Sequence, residues 1–132
     1  MSSHDAPDRR AAGEQVVREM FGEDFLVTNM TSLADGDGPM GDTARIALEQ
    51  CFGEIWSRPG LDRRSRSLVT LGVLMAQGHQ DEIRNHAIGG LANGLTPEEL
   101  QEAVIQTIPY LGLPAAGQAM ASALGAVSGT DS

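Results

Sequence analysis

The sequence places two histidines and a carboxylate close together, directly after a long apolar run. His79, Glu82 and His86 follow a glycine break at Gly78. If this segment is helical, offsets of three and seven residues bring the three side chains to roughly one face. His86 is the first candidate for a general acid or base, because Glu82 can orient its ring or raise its pKa. The alternative is a partly buried helix histidine with a structural hydrogen bond.

The same residues also suggest a metal site, since two imidazoles and a carboxylate suit zinc or iron(II). The helical spacing typical of zinc is four residues between histidines, whereas His79 and His86 lie seven apart. Gly78 also interrupts the helix just before His79. We therefore expect no metal at these residues.

Several arginines near the histidines are candidates for binding an anionic substrate: Arg58, Arg63, Arg64, Arg66 and Arg84. Arginine suits a carboxylate because its guanidinium group donates paired hydrogen bonds. Most of them are expected to pair with surface acids, and one or two pointing inward would be enough for an anionic substrate. Trp56 either walls a pocket or fills the core. The predicted substrate-binding set is Arg66, Arg58, His79, Trp56 and Ser67.

Length and composition predict one soluble domain with an aliphatic core. The chain has 132 residues, of which 41% are apolar and only 4% are aromatic. Its formal net charge of −9 argues against nucleic acids and anionic membrane surfaces, both of which attract basic proteins. No apolar run is long enough for a signal peptide or a membrane span. Cys51 stands alone, so it is expected to be a small buried residue of a cytoplasmic protein rather than a disulfide partner or a reactive thiol.

The first part of the chain is predicted to hold two helices and a loop. Residues 1–11 are polar and are expected to form a disordered tail in which His4 is solvated. Apolar residues recur at helical spacing from Gly13 to Gly22, and a second helix is expected from about Asp42 to Ile55. Glycines and aspartates between Ala34 and Asp42 predict a surface loop rather than a calcium site.

Four more helices are predicted after the WSRPG break. Asp62 caps a helix that is apolar almost all round from Leu68, so this helix is central or lies at a subunit interface. The His79–Asn93 segment follows it, and Thr96 then starts a helix with a capping box. An Ala-rich helix runs from Pro114 to about Val127. The inward-facing positions of the two middle helices are predicted to be Ile83, Ala87, Gly90 and Leu91, then Leu100, Val104, Ile105 and Ile108. No stretch alternates like a strand, which predicts an all-α fold of about six helices.

Three motifs make the chain resemble the carboxymuconolactone decarboxylase family. They are IWSRPGLD, NGLTPEEL and a Y-x-G-x-P element at Tyr110, Gly112 and Pro114. The resemblance covers roughly Ala44 to Val127. It implies the all-helical fold shared with the AhpD-like alkylhydroperoxidases, usually assembled as homotrimers or homohexamers. Residues 12–128 would form one domain of this type.

The resemblance also separates two branches of that superfamily. The peroxidase branch uses a CxxC pair followed by a histidine. His86 lies where that histidine falls, but His79 and Glu82 occupy the two cysteine positions. Peroxide reduction would therefore lack a nucleophile. The implied branch is the cofactor-free one, whose type reaction takes γ-carboxymuconolactone to the 3-oxoadipate enol-lactone in protocatechuate breakdown.

This chemistry suits the candidate residues. Loss of CO₂ beside an unsaturated lactone leaves charge that delocalises onto the lactone carbonyl, where hydrogen-bond donors stabilise it. His86, with Glu82 behind it, would then protonate carbon as a general acid. Arg66 or Arg58 would hold the remaining carboxylate of the substrate.

Two departures from the family pattern lie near the expected pocket. Gly78-His79 stands where decarboxylases commonly carry an arginine, and Cys51-Phe52-Gly53 replaces an aromatic-Trp-Gly element. A related acid or lactone of another catabolic or biosynthetic pathway is thus a second hypothesis. A third is an oligomeric protein that binds a small acid without catalysis.

Overall fold

The computed structural model describes residues 6–129, and within that range it contains helices and no strand. The seven helices are α1 (Ala6–Phe21), α2 (residues 23–34), α3 (residues 38–55), α4 (Arg63–Gln77), α5 (Gln80–Ala92), α6 (Pro97–Leu111) and α7 (Leu113–Ser128). The all-α prediction is therefore confirmed. The chain forms two compact units, an N-terminal unit up to Leu61 and a C-terminal unit from Asp62.

The N-terminal unit is built on a close crossing of α1 and α3. A Cβ atom on Gly13 would lie 1.8 Å from the carbonyl oxygen of Leu48, and one on Gly53 would lie 2.2 Å from that of Arg9. Only glycine permits these backbones to approach so closely. Residues 47–55 of α3 are π-helical, so this crossing lies on an irregular turn of the helix.

Several predictions for this unit are wrong. The helix α1 begins at Ala6, so the predicted disordered tail does not extend over residues 6–11; His4 lies outside the described residues. The loop after Ala34 is short, because α3 already begins at Gly38, with Pro39 in its first turn. Cys51 is exposed rather than buried, since the apolar face of α3 is supplied by other residues such as Leu48.

The C-terminal unit begins with a helix whose two ends follow from local sequence. The Asp62 carboxylate accepts a hydrogen bond from the backbone N–H of Ser65 at 2.7 Å, which confirms it as the N-cap of α4. Gly78 adopts the left-handed conformation with φ of +76° and ends the same helix. The break between the apolar run and the histidine segment therefore lies where it was predicted.

The next helix but one, α6, has the predicted capping box. The Thr96 hydroxyl accepts from the backbone N–H of Glu99 at 3.0 Å, and the Glu99 carboxylate accepts from the backbone N–H of Thr96 at 2.9 Å. Pro97 stands at the first helical position, where its missing N–H costs nothing. The backbone N–H groups of Thr96 and Glu99 are thus both satisfied within the motif.

The core of this unit is aliphatic, as its composition predicts. Its fully buried members come from all four helices and one loop: Leu71, Met75, Ile83, Ala87, Leu95, Leu100, Val104, Ala116, Ala119 and Ala123. Leu91 and Ile108 are partly buried against this core. Ile105 was expected to face inward, but it is 47% exposed because only one stripe of α6 meets the core.

The apolar helix α4 is only half covered. Leu71 and Met75 are buried, whereas Val69 and Val73 are 61% and 52% exposed. Of the two readings of this helix, a central position holds for one face, and a subunit interface for the other face remains a prediction. Across residues 6–129, no helix is both long enough and apolar enough to cross a membrane.

Candidate active site

The helix α5 carries the candidate acid and its carboxylate neighbour. His79 is the N-cap, with an extended backbone and without a side-chain hydrogen bond to the helix start. Its carbonyl oxygen accepts the first bond of the helix, from the backbone N–H of Ile83 at 2.8 Å. Asp81 and Glu82 lie in the first turn, where negative charge interacts favourably with the helix dipole.

His86 is buried and lies beside Glu82. Its residue surface is 8% exposed, and its Nε2 atom lies 3.8 Å from the Oε1 atom of Glu82. Burial lowers the pKa of His86 below the ordinary 6.5, because the charged ring loses hydration, and the charge of Glu82 opposes that change. Glu82 therefore acts on the pKa in the predicted direction, but burial outweighs it. The neutral imidazole is favoured at pH 7.

His79 does not share this environment. It is exposed and precedes the helix, so the expectation that all three side chains lie on one helical face holds only for Glu82 and His86. Among residues 6–129, histidine, cysteine and carboxylate side chains form no group of three placed to hold a metal ion.

Two residues of the α5 segment, Gly90 and Asn93, meet α4 at Ser67. Ser67 is fully buried, and its Oγ atom accepts a hydrogen bond from Nδ2 of Asn93 at 2.9 Å. A Cβ atom on Gly90 would lie 3.6 Å from Cβ of Ser67, so α4 and α5 cross closely at this point. Ser67 thus joins two helices, and its predicted contact with substrate remains a prediction.

The other predicted binding residues lie in separate places. Arg66 is half-buried on α4, one residue before Ser67. Arg58 is exposed and belongs to the N-terminal unit. Trp56 belongs to the same unit and stacks on Phe52, with ring centroids 6.1 Å apart and planes at 20°. This contact lies within that unit, and the predicted place of Trp56 in a pocket remains a prediction.

A groove of about 420 Å³ lies elsewhere in the C-terminal unit, between α4 and α6. Its lining residues are Arg64, Leu68, Gly72, Met75, Glu99, Glu102, Ala103, Gln106 and Thr107. Arg64 forms an ion pair with Glu99 at one end. The pKa of Glu99 is lowered, first by the backbone N–H of Thr96 and also by Arg64. His86 is not among the lining residues.

Three polar residues that the sequence analysis missed connect α5 to α7. Gln80 donates a hydrogen bond from Nε2 to Oε1 of Gln118 at 2.9 Å. Its own Oε1 atom accepts from the hydroxyl of Ser122 at 2.5 Å. The partners are separated by about 40 residues, so no local sequence signal points to this contact.

Comparisons with known proteins place the chain beside a protein family and three relatives. Residues 41–124 match the carboxymuconolactone decarboxylase family. The chain is 39% identical over 112 residues to the 4-carboxymuconolactone decarboxylase of Acinetobacter baylyi, covering 85% of this chain and 81% of that protein. It is 32% identical over 108 residues to the nitrosuccinic acid decarboxylase of Metarhizium robertsii, covering 82% and 73%. An uncharacterised 15.0 kDa protein of Paracoccus denitrificans is 36% identical over 75 residues, covering 55% and 56%.

The fold is all-helical, and the similarities identify the family. The chain belongs to the carboxymuconolactone decarboxylase family. Two of its relatives are decarboxylases with different substrates in their names, so decarboxylation is an activity of this family. The predicted resemblance, and with it the enzyme class, is confirmed.

Proposed function

We propose that this protein is a cofactor-free decarboxylase of a small acid related to 4-carboxymuconolactone, with His86 as the general acid. The observation that carries the proposal is the 39% identity, over 85% of the chain, to a 4-carboxymuconolactone decarboxylase. The buried His86 beside Glu82 supports it, because a buried titratable group with a charged neighbour is typical of catalytic sites.

The names of the two decarboxylases suggest a common substrate chemistry. In nitrosuccinic acid the departing carboxyl group is attached to the carbon that bears the nitro group, so the electron pair left by CO₂ can enter that group. In 4-carboxymuconolactone the electron pair can enter the unsaturated lactone. Each compound also keeps a carboxymethyl group. The proposed substrate class is therefore an acid whose carboxyl-bearing carbon carries both an electron sink and a carboxymethyl group.

The proposed roles follow from charge and burial. The C–C bond to CO₂ breaks, the electron pair moves into the sink, and His86 then delivers a proton to carbon. The ring is mostly neutral at pH 7 in the free protein, but the carboxylates of a bound substrate would raise its pKa and promote its protonation. Glu82 would assist by the same charge effect across 3.8 Å.

Arg66 or Arg58 is the proposed partner of the substrate carboxylate that is retained. A guanidinium group binds a carboxylate with two parallel hydrogen bonds. His79, Trp56 and Ser67 complete the proposed binding set. The carboxylate that leaves is better placed in a poorly solvated, apolar position, because its charge is lost as CO₂ forms.

We further propose a cytoplasmic homotrimer or homohexamer. Val69 and Val73 leave an apolar strip on α4 exposed, and exposed apolar patches commonly mark subunit contacts. Sedimentation of the purified chain over a range of concentrations tests the assembly, since a species of monomer mass at every concentration would contradict it.

The test is ultraviolet absorbance of 4-carboxymuconolactone, nitrosuccinate and related acids mixed with the purified protein, before and after EDTA. We expect turnover of at least one of them that survives chelation and is lost in His86→Asn. Turnover that EDTA abolishes would contradict the cofactor-free mechanism. Binding of these acids without turnover would instead identify a non-catalytic small-acid-binding protein.

A further inference from the structure

The buried residues of α7 are all alanines. Ala87 on α5 and Ala116, Ala119 and Ala123 on α7 belong to one buried cluster. Helices fix their relative positions by fitting ridges of side chains into grooves, and alanine forms only shallow ridges. This apolar contact therefore resists separation of the two helices better than it resists sliding of one along the other.

The hydrogen bonds of Gln80 supply what the alanine contact lacks. The side-chain amide of Gln80 uses both of its polar atoms, donating to Gln118 and accepting from Ser122. Gln118 and Ser122 are four residues apart, hence one turn apart on the same face of α7. Two directional bonds to two successive turns define one axial position of Gln80, which is the first residue of α5.

We propose that Gln80, held by Gln118 and Ser122, is a positioning residue that fixes how the face of α5 that carries His86 and Gly90 is placed against α4. The role assigned to His86 rests on the proposed function, whereas the register of α5 does not. His86 lies six residues after Gln80, which is about 9 Å along the helix at a rise of 1.5 Å per residue. At 100° per residue His86 lies on a different side of α5 from Gln80. It lies one turn before Gly90, on the face that crosses α4 at Ser67.

The contacts of Gln80 matter because the start of α5 has no side-chain cap. His79 caps the helix without a side-chain hydrogen bond, so local sequence does little to hold the first turn. A small shift of that turn along α7 would be carried rigidly through α5 to His86. Misplacement of a catalytic group by about 1 Å can cost up to about 10²-fold in rate.

The experiment compares Gln80→Met with Gln77→Met. Methionine keeps the length and flexibility of glutamine but makes neither strong hydrogen bond, and Gln77 is an exposed residue at the end of α4. We expect kcat of Gln80→Met to fall about tenfold with KM changed less than about twofold, while Gln77→Met behaves as wild type. A wild-type kcat in Gln80→Met, or an equal loss in both variants, would overturn the proposal.

Variants of Ser122 test whether Gln80 acts through this contact. Ser122→Ala should lower kcat less than Gln80→Met, and Ser122→Thr, which keeps the hydroxyl, should restore it. Ser122→Ala should add nothing in a Gln80→Met background, because the bond is already gone. Additive losses in the double variant would overturn the role of the contact. Thr96→Ala serves as a variant with a stability loss that should leave kcat unchanged.

A second readout separates this proposal from the proposed function. The ring signals of His86 in ¹H–¹³C NMR report its surroundings whether or not any substrate is turned over. We expect these signals to move in Gln80→Met and to stay in place in Gln77→Met. Unchanged signals in both variants would overturn the positioning role. An inactive wild-type protein with moving signals would contradict only the enzymatic role of His86.

Discussion

The starts of α5 and α6 show two ways of fixing the end of a helix. At α6, Thr96 and Glu99 satisfy each other's backbone N–H groups within four residues of sequence. At α5, His79 provides no side-chain cap, and Gln80 is instead held by residues of α7. No candidate catalytic residue lies on α6, whose start is capped by its own residues. The candidate pair Glu82 and His86 lies on α5, whose start is held by another helix.

This difference indicates where the molecule can respond to change. A capped helix start is stable on its own, while a start that depends on distant contacts opens or shifts when those contacts are altered. Substitutions at the start of α6 should therefore change only the free energy of unfolding, whereas substitutions in α5 can also change the chemistry. The predictions below test that division.

The largest contrast is expected between His86→Asn and Thr96→Ala. Loss of a general acid typically reduces kcat by about 10² to 10⁴-fold, so His86→Asn should lose activity while remaining helical. Thr96→Ala should keep kcat within about twofold, because its hydroxyl contacts only the start of α6. Steady-state kinetics and circular dichroism check both variants. Unfolding of His86→Asn would mean that the imidazole is structural.

The pH dependence of kcat and kcat/KM tests the role of His86 as general acid. Burial lowers the pKa of His86 from 6.5, so kcat/KM, which reports the free enzyme, should decline as pH rises through a value below 6.5. The bound carboxylates should raise that pKa, so the decline of kcat should lie at higher pH. Glu82→Gln removes the charge that raises the pKa and should move the decline of kcat/KM to lower pH. Coincident declines of kcat and kcat/KM would contradict this coupling.

Local signals explain why so much of the C-terminal unit could be predicted. Asp62, Gly78, Thr96 and Pro97 each act within a few residues, and the helix ends they define lie where the sequence places them. The helical periodicity of α6 was less informative, since Ile105 is exposed. Periodicity identifies a helix, but the width of its buried stripe depends on which neighbours pack against it.

The site was only partly predictable, because some of its contacts are local in sequence and others are not. His86 and Glu82 lie four residues apart, so helix geometry brings them together. His79 has an extended backbone at the helix start, so helical spacing does not predict where its side chain lies. The contact of Gln80 with Ser122 is a tertiary one, and Cys51 is exposed on a π-helical segment. Neither leaves a pattern in the neighbouring sequence.

A smaller effect is expected when the α6 start alone is weakened. Thr96→Ala removes the acceptor for the backbone N–H of Glu99 and should lower the free energy of unfolding by about 1 kcal/mol. Chemical denaturation followed by circular dichroism measures the change. Thr96→Ser keeps an oxygen in the same place and should behave as wild type. Equal losses in both variants would show that the methyl group, rather than the cap, is responsible.

The smallest expected effect is a gain at the α5 start. His79→Ser would supply the missing acceptor. The backbone at position 79 is already extended, and the first N–H groups of the helix can donate to a serine oxygen. His79→Ser should therefore raise the free energy of unfolding by about 0.5 kcal/mol relative to His79→Ala. Denaturation of the two variants measures the difference. If serine gives no gain over alanine, the contacts from α7 already hold the first turn completely, and α5 is then as firmly fixed at its start as α6.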